Sequence, residues 1–493
     1  MLGYLMQAWP RFLNRYFGVD VWRNLCIANY IREHKCLPKY LPRYMLKGFF
    51  DYPPLFNIVL SFLPKKFLER NQGFISPVFD AVLSFTIFYF TKHFTQSLTT
   101  AVIAQVLYIF SPLIVIENAS LTARSLGALL FLAAFLTLLL YSKSHTLYLM
   151  AASIIFISLT LFAQKMASQA LFFMCAIFSL WEKDFLYLIF FIIAVIVALI
   201  VSKGFYLRVL QGQISVYKYF RQIIDVRYAH QIRGISPAVN SPDFIDKIKA
   251  VIKKFPLFAL TASYPLMTLG FLVSLDLLFF KKVFLVPHND MKFYAQISRW
   301  IFCLYAMGFI TAYVKPLRFL GEGNKYLVYG GFPVSFLLAE GIYKFGVYKY
   351  KPYFIVLVVI AVFVSLGQII FLQKKCIIED KQRTITPALR KTIEHIKDAD
   401  GMIKLASVPF SLADAVAYFT EADVLSSDSA HVLGNSSDYL DYYPTLRRPL
   451  EEILEKHRIN YLLIDTNYVR LDELNLKHGN IDYKSDNYLL IKR

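Results

Sequence analysis

The chain has 493 residues, of which 57% are hydrophobic and only 18% are charged, and its mean hydropathy is +0.48. Soluble domains are nearer half apolar and a quarter charged, so this composition excludes an ordinary soluble protein and predicts a membrane protein. The formal charge of +19 points to anionic partners, and in so apolar a chain we expect membrane lipid phosphates and no nucleic acid.

The chain opens on a polar, aromatic-rich stretch. Residues 18–56 contain GVDVWRNLCIANYIREHKCLPKY and then FDYPPLF. We expect a helix over 21–35 with Asp20 as its N-cap, because an aspartate there can accept hydrogen bonds from first-turn N–H groups. Pro53 and Pro54 then direct the chain toward the membrane without removing a hydrogen bond from a helix interior.

Ten apolar stretches approach the length of roughly 20 residues that a helix needs to cross a bilayer. They lie at about 75–94, 97–117, 122–141, 146–163, 166–181, 184–202, 255–280, 297–314, 326–345 and 352–373. If these helices alternate in direction, the long polar segments share one side, which we expect to be extracytoplasmic. Counts of lysine and arginine do not decide the orientation. The excess of these residues in cytoplasmic loops is a rule for short loops, and it does not hold for long ones. The expected parts are a first outer loop with surface helices at 1–74, a helical bundle at 75–373 with an outer loop at 203–254, and a tail at 374–493.

The tail is expected to be a separate soluble α/β domain with a partly parallel sheet. ALRKTIEHIKDA, SLADAVAYF (capped by Ser411) and RRPLEEILEKHRI are predicted helices, whereas MIKLASV, NYLLIDT and NYLLIKR are predicted strands. The tail has no glycine-rich phosphate loop and no paired catalytic residues, so we interpret it as a packing or acceptor-docking module.

Three stretches together resemble the GT-C superfamily of integral-membrane glycosyltransferases, which use polyprenyl- or dolichyl-phosphate sugars and include mannosyltransferases. They are the first loop, LTARSLGALLFLAAFLTLLLY at 121–141, and RFLGEGNKYLVYGGFPVSFLLAEG at 318–341. The resemblance implies a GT-C-like bundle of about ten spans followed by a soluble domain. Family members usually begin with a spanning helix, and nothing before Asp20 is long and apolar enough. Either residues 1–17 lie on the membrane surface or a first helix is missing, and we expect the second.

The resemblance also implies that Asp20 is the general base. An aspartate carboxylate is ionised at neutral pH and can accept a proton from an incoming hydroxyl, so Asp20 could be both cap and base. A leaving prenyl phosphate needs cations where its charge grows. The candidates are Lys165, Arg227, Arg233, Arg318 and Lys325, with His230 nearby; Tyr52, Glu117, Arg124, Gln164 and Glu322 are further candidate substrate contacts.

Three of these candidates also have other interpretations. Glu117, at the end of a span, could bind the acceptor or a divalent cation, but a single acid without an Asp-x-Asp pair is a weak metal signal, so no cofactor is assigned. Arg124 and Lys165 interrupt apolar stretches, where charges are costly and often functional, although side chains near helix ends also reach the interface.

The leading hypothesis is therefore an inverting membrane glycosyltransferase of the cell envelope. It would move a hexosyl or pentosyl unit from a polyprenyl-phosphate donor to a glycan, lipid or protein acceptor at the outer face of the plasma or inner membrane. The alternatives are a transporter or flippase for a lipid or polyanion, and a non-catalytic assembly subunit. Transporters usually show repeats and broken helices at the midplane, whereas here the polar residues gather at one face.

Overall fold

The computed structural model describes all residues except 19, 47, 224–231, 233–263, 281–290, 345–350, 428–438 and 478. The chain divides into two compact units. The helical unit comprises Met1–Arg15, Gly73–Tyr206 and Ile252–Glu379, and the sheet unit comprises Tyr16–Gln72, Leu207–Val251 and Asp380–Arg493.

The described helices, in chain order, are α1 (Leu2–Ala8), α2 (Pro10–Leu13), α3 (Val21–His34), α4 (Leu55–Ser61), α5 (Lys65–Asn71), α6 (Ile75–Thr95), α7 (Leu98–Ile109), α8 (Pro112–Asn118), α9 (Arg124–Ser144), α10 (Leu147–Ala163), α11 (Lys165–Glu182), α12 (Leu186–Val201), α13 (Phe205–Ile223), α14 (Pro265–Leu275), α15 (Met291–Tyr313), α16 (Gly323–Leu327), α17 (Gly331–Lys344), α18 (Lys351–Gln373), α19 (Pro387–Asp398), α20 (Ala413–Phe419) and α21 (Leu450–Lys456). The described strands are β1 (Lys404–Val408), β2 (Asp423–Val424), β3 (Tyr461–Asp465), β4 (Asn480–Ser485) and β5 (Tyr488–Lys492).

The helical unit packs around large aromatic side chains. Phe131 and Phe135 of α9, Phe178 of α11 and Trp300 of α15 are at most 1% exposed. The rings of Phe135 and Trp300 meet edge to face with centroids 4.6 Å apart, an arrangement that aromatic pairs prefer. These side chains hold the central helices together, and truncation of one such core aromatic typically costs about 3–5 kcal/mol.

Each of the ten predicted stretches contains a described helix, but fewer helices meet the length and hydropathy of a span. Among the described residues, three do: Lys65–Thr95, Arg124–Ser144 and Pro352–Ile378. Two bent pairs raise the number to five if each is one span: Leu98–Ile109 with Pro112–Asn118, and Leu186–Val201 with Phe205–Ile223. The count of ten spans therefore stays a prediction.

The sheet unit contains the predicted C-terminal sheet, with strand order β2-β1-β3-β5-β4. β1 is parallel to β2 and β3, whereas β5 is antiparallel to β3 and β4, so the sheet is partly parallel as expected. One detail of the prediction is wrong: Ser411 does not cap a helix, because Phe410–Leu412 form a 3₁₀ turn and Leu412 is the N-cap of α20.

The first loop is hydrogen-bonded to this C-terminal sheet and its flanking segments. The Met45 N–H donates to the Val424 carbonyl at 2.8 Å, and the Val424 N–H donates to the Arg43 carbonyl at 2.9 Å. Upstream, the Gly18 N–H donates to the Arg383 carbonyl at 2.9 Å. Segments on both sides of α3 are thus anchored by backbone hydrogen bonds to the C-terminal part of the chain.

Candidate active site

Asp20 occupies the N-cap position of α3 without capping it. The helix begins at Val21 as predicted, but Asp20 has φ 60° and ψ 0°, and its side chain makes no cap hydrogen bond. The expectation that Asp20 is a cap is therefore wrong, because its left-handed backbone does not bring the carboxylate onto the first-turn N–H groups. Aspartate tolerates this conformation better than most residues, yet it still costs about 1–2 kcal/mol. The carboxylate is left available for another partner.

That partner is Arg23, one turn along α3. Its Nη1 lies 3.2 Å from Asp20 Oδ1, and the Arg23 side chain is 9% exposed against 31% for Asp20. Burial by itself lowers the pKa of the Arg23 guanidinium, but the negative charges of Asp20 and Asp414 outweigh it and raise that pKa above its usual range. Arg23 is therefore a permanent buried cation beside the Asp20 carboxylate.

A second acid, Asp414 of α20, belongs to the same network. The Tyr44 hydroxyl donates to Asp414 Oδ1 at 2.7 Å, and the Ser427 hydroxyl donates to Oδ2 at 3.1 Å. Burial raises the pKa of Asp414 above the usual aspartate range, against the lowering effects of the Arg23 charge and of the two hydrogen bonds. The sequence analysis missed Arg23 and Asp414, although a lone acid among alanines and a valine in SLADAVAYF was a usable signal.

Asp20 and Asp414 line one cavity of about 60 Å³, room for a hydroxyl group and a water molecule or two. The indole of Trp22, which also lines it, packs against the rings of Tyr418 and Phe419 with centroids 5.4 and 4.9 Å away. The cavity thus combines carboxylates with an aromatic wall, groups that suit a polar, hydroxyl-bearing ligand.

Tyr52, a predicted substrate contact, lies near Arg23 and not on the cavity beside Asp20. Tyr52, Arg23 and Asp51 line a separate, smaller cavity of about 10 Å³. Asp51 is 4% exposed and packs against α13 at Gly212, where a Cβ atom would overlap its carboxylate. The FDYPP turn is therefore a buried packing element, which supports the interpretation of the two prolines as scaffold.

In the helical unit, Glu117 and Arg124 are joined as an ion pair. Within the part of the chain that the structure describes, no three His, Cys, Asp or Glu side chains come close enough together to hold a metal ion.

The other helical-unit candidates come together at the break between α10 and α11. Gln164 is extended there, and its Oε1 accepts a hydrogen bond from the Tyr329 hydroxyl at 2.7 Å. Gln169 donates to the Leu320 carbonyl at 2.8 Å. These two bonds bring Lys165, which is 8% exposed, to the segment that carries the predicted residues Arg318, Glu322 and Lys325.

Within that segment, all three predicted side chains make contacts of their own. The Arg318 Nε donates to the Ala312 carbonyl at 3.1 Å, and Lys325 pairs with Glu322 at 3.0 Å. The remaining predicted cations and the imidazole near them lie outside the described residues: Arg227, Arg233 and His230.

No family model matches the chain, and no curated protein matches it. Solved structures match the chain over most of its length. An oligosaccharyltransferase of Archaeoglobus fulgidus, solved as a complex with Zn and sulfate, is 12% identical with a TM-score of 0.59, and the match covers 94% of this chain and 67% of that one. ArnT from Cupriavidus metallidurans bound to undecaprenyl phosphate is 12% identical with a TM-score of 0.46, covering 99% and 96%. The apo form of the same ArnT is 11% identical with a TM-score of 0.43, covering 99% and 95%. The chain shares the fold of the Archaeoglobus fulgidus oligosaccharyltransferase, which agrees with the fold expected from the sequence resemblance.

Proposed function

We propose that the protein is an inverting glycosyltransferase that moves a sugar from a polyprenyl-phosphate donor to an acceptor hydroxyl, with Asp20 as general base. The observation that carries this proposal is the state of Asp20: its carboxylate does not cap α3, pairs with the buried Arg23 and lines a cavity. A carboxylate that lines a cavity is placed to accept a proton from a ligand hydroxyl bound there.

In the proposed reaction, the acceptor hydroxyl gives its proton to Asp20 while its oxygen attacks the anomeric carbon. The bond between that carbon and the phosphate oxygen breaks, and the prenyl phosphate leaves with the electron pair. A single displacement inverts the anomeric configuration. General-base catalysis of this kind typically contributes about 10²–10⁴-fold to the rate.

The negative charge that grows on the leaving phosphate calls for fixed cations. Lys165, Arg318 and Lys325 are the described candidates, because hydrogen bonds bring the start of α11 to the segment that carries the other two. Arginine suits bidentate phosphate contacts, and lysine acts as a point charge. Arg227 and Arg233 stay candidates from the sequence. Glu117, which pairs with Arg124, stays a candidate acceptor contact, and no step of the proposal uses a metal.

We further propose that the chain crosses the membrane about ten times, with the first loop, the loop at 203–254 and the C-terminal domain at the outer face. Helices at all ten predicted stretches support this arrangement. A reaction at the outer face fits a donor whose sugar is already carried on a membrane lipid. The acceptor is a glycan, a lipid or a protein.

The test is sugar transfer from a synthetic prenyl-phosphate donor by purified wild type and the Asp20→Asn variant. Asparagine also tolerates the left-handed backbone but cannot accept the proton, so turnover should fall about a hundredfold or more. No cap is lost, but the buried Arg23 loses its nearest carboxylate, so the variant should still fold and melt somewhat below wild type. Wild-type turnover in the Asn variant would refute Asp20 as the base.

A further inference from the structure

We propose that Ser411 of the C-terminal domain is an acceptor-binding residue, and that the acceptor is a sugar whose reactive hydroxyl has a second hydroxyl group beside it. The Ser411 hydroxyl bonds to the second group while the first faces Asp20. The inference rests on the proposed function, which it extends by naming the chemical class of the acceptor and by giving the C-terminal domain a part in its recognition.

Ser411 lines the same cavity as Asp20, from the side of the C-terminal domain. It lies in the 3₁₀ turn Phe410–Leu412, between β1 and α20, and its side chain is half-buried. The volume of about 60 Å³ is small, so one ligand placed in the cavity can contact both residues. A ligand there is held between the first loop and the C-terminal domain.

The hydroxyl of Ser411 is available to such a ligand. It caps no helix, because Leu412 is the N-cap of α20, and it makes no hydrogen bond in the part of the chain that the structure describes. Two other polar groups of this wall are engaged: the Thr384 hydroxyl donates to the Asp380 carbonyl, and Asp414 accepts from two hydroxyl groups. A half-buried hydroxyl is costly unless water or a ligand satisfies it, so Ser411 is the group of this wall best suited to bind.

The backbone around Ser411 is fixed by buried side chains on both sides. Phe410 and Leu412 are both buried. The ring of Phe410 packs against those of Tyr439 and Tyr443, with centroids 5.0 and 5.6 Å away. The turn therefore presents the Ser411 hydroxyl in a preorganised position, which lowers the entropy that binding has to offset.

The cavity suits the edge of a sugar ring. Besides its polar groups, it is lined by apolar side chains that fit the C–H groups of such a ring: Val21, Trp22, Ile385, Leu389 and Leu412. It is too small for a whole ring but has room for two neighbouring hydroxyl groups. A carboxylate accepts hydrogen bonds, and a serine hydroxyl both donates and accepts, so Asp20 and Ser411 together match hydroxyl groups on adjacent carbons. A serine or threonine of a protein acceptor would offer only one.

The first measurement is sugar transfer by the purified full-length chain from the synthetic prenyl-phosphate donor to methyl glycosides of glucose, galactose, mannose and arabinose. Ser411→Ala should lower kcat/KM for the accepted glycoside about three- to tenfold, the usual effect of one lost hydrogen bond between neutral groups. The KM of the donor should stay unchanged, because Ser411 contacts only the acceptor.

Deoxy glycosides that lack the neighbouring hydroxyl give the sharper comparison. Wild type should lose the same factor on the deoxy form that Ser411→Ala loses on the complete glycoside. Ser411→Ala should lose nothing further on the deoxy form, because both changes remove the same contact. Independent, multiplying losses would show that Ser411 and this hydroxyl do not meet.

Ser485→Ala is the matched control. This serine of β4 is also half-buried, and its hydroxyl makes no hydrogen bond to any residue that the structure describes, but it does not line the cavity. Its kinetic constants should equal those of wild type. Both serine variants should melt with wild type in the absence of ligand, since neither loses a hydrogen bond within the protein.

Binding is measured apart from catalysis, through the melting temperature of each variant with the same glycosides. At least one glycoside should stabilise wild type and Asp20→Asn more than its deoxy form does, because a bound ligand stabilises the folded state and asparagine keeps a hydrogen-bonding side chain. In Ser411→Ala the two forms should stabilise equally.

The outcomes separate this inference from the proposed function. If Ser411→Ala keeps the kinetic constants and the stabilisation of wild type, Ser411 does not bind the acceptor, whatever Asp20→Asn does. If Asp20→Asn transfers sugar at the wild-type rate while Ser411→Ala loses the stabilisation, the base assignment is wrong and the acceptor site stands. If wild type neither glycosylates any of these glycosides nor is stabilised by one, the acceptor class is wrong.

Discussion

The carboxylate of Asp80, on α6, gives the sharpest stability prediction for the helical unit. Asp80 is 2% exposed. Its oxygens accept hydrogen bonds from the Gln7 amide, from the Tyr108 hydroxyl at 2.6 Å and from the Asn118 amide at 2.9 Å. It thereby ties α1 and the ends of α7 and α8 to α6. Asn118 directly follows Glu117, so the same hub also fixes a candidate site residue.

Asp80→Ala should leave these three buried donors without their acceptor. Each unsatisfied donor costs about 1–3 kcal/mol, so the full sum is on the order of 3–9 kcal/mol, and relaxation around the smaller side chain should bring it to about 3–5 kcal/mol. Tyr108→Phe removes one donor and leaves the carboxylate with two, so it should cost only about 1–2 kcal/mol.

The assay is thermal melting of purified variants in detergent. Tyr89→Phe is the control, because this tyrosine of the same helix is 58% exposed, and it should melt with wild type. The expected order of melting temperatures is wild type with Tyr89→Phe, then Tyr108→Phe, then Asp80→Ala. Melting of Asp80→Ala within a degree of wild type would refute the reasoning that this carboxylate is a structural hub.

Further predictions concern the donor, the packing of the first loop and the orientation of the chain. Lys165→Ala and Lys325→Ala should each lower turnover about tenfold or more while the variants still fold, because a charge-assisted phosphate contact contributes about 1.5–3 kcal/mol; wild-type turnover in both would place the leaving-group site elsewhere. Gly212→Ala should lower the melting temperature, since its Cβ would overlap the buried carboxylate beside it, whereas Gly367→Ala, with open space around its Cβ, should be neutral or stabilising. Equal melting of the two would contradict that packing. The exposed Cys36 should react with a membrane-impermeant maleimide from outside intact cells, and labelling only after permeabilisation would invert the proposed orientation.

Most of the helical framework could be predicted because apolar stretches of roughly 20 residues mark spans and their polar interruptions mark breaks. Gln164 is such an interruption, and α10 and α11 meet there. The strand β4 was missed, because NIDYKS is mostly exposed and lacks the apolar alternation of a half-buried strand. The packing of α1 was also missed. Its polar Gln7 is buried while its apolar Leu2 and Leu5 are exposed, the reverse of the pattern that marks a helix packed on a core.

The site was harder to predict because its residues are far apart in the sequence. Asp414 and Tyr44 are hydrogen-bonded although 370 residues separate them, and no periodicity or spacing reveals such a pair. Asp20 was identified through the resemblance, but its left-handed backbone and its pairing with Arg23 were not, and the residues just before it are hydrogen-bonded to the C-terminal domain. Local propensity favours aspartate as a cap, and tertiary anchoring overrides it here.

The measurement that tests the central claim most directly is the anomeric configuration of the product. Purified wild-type protein would be given a prenyl-phosphate sugar of known configuration, and the transferred sugar would be analysed by NMR. A single displacement assisted by Asp20 predicts formation of the product with the opposite configuration, together with release of the prenyl phosphate. Retention of configuration, or no transfer from any prenyl-phosphate sugar, would contradict the account.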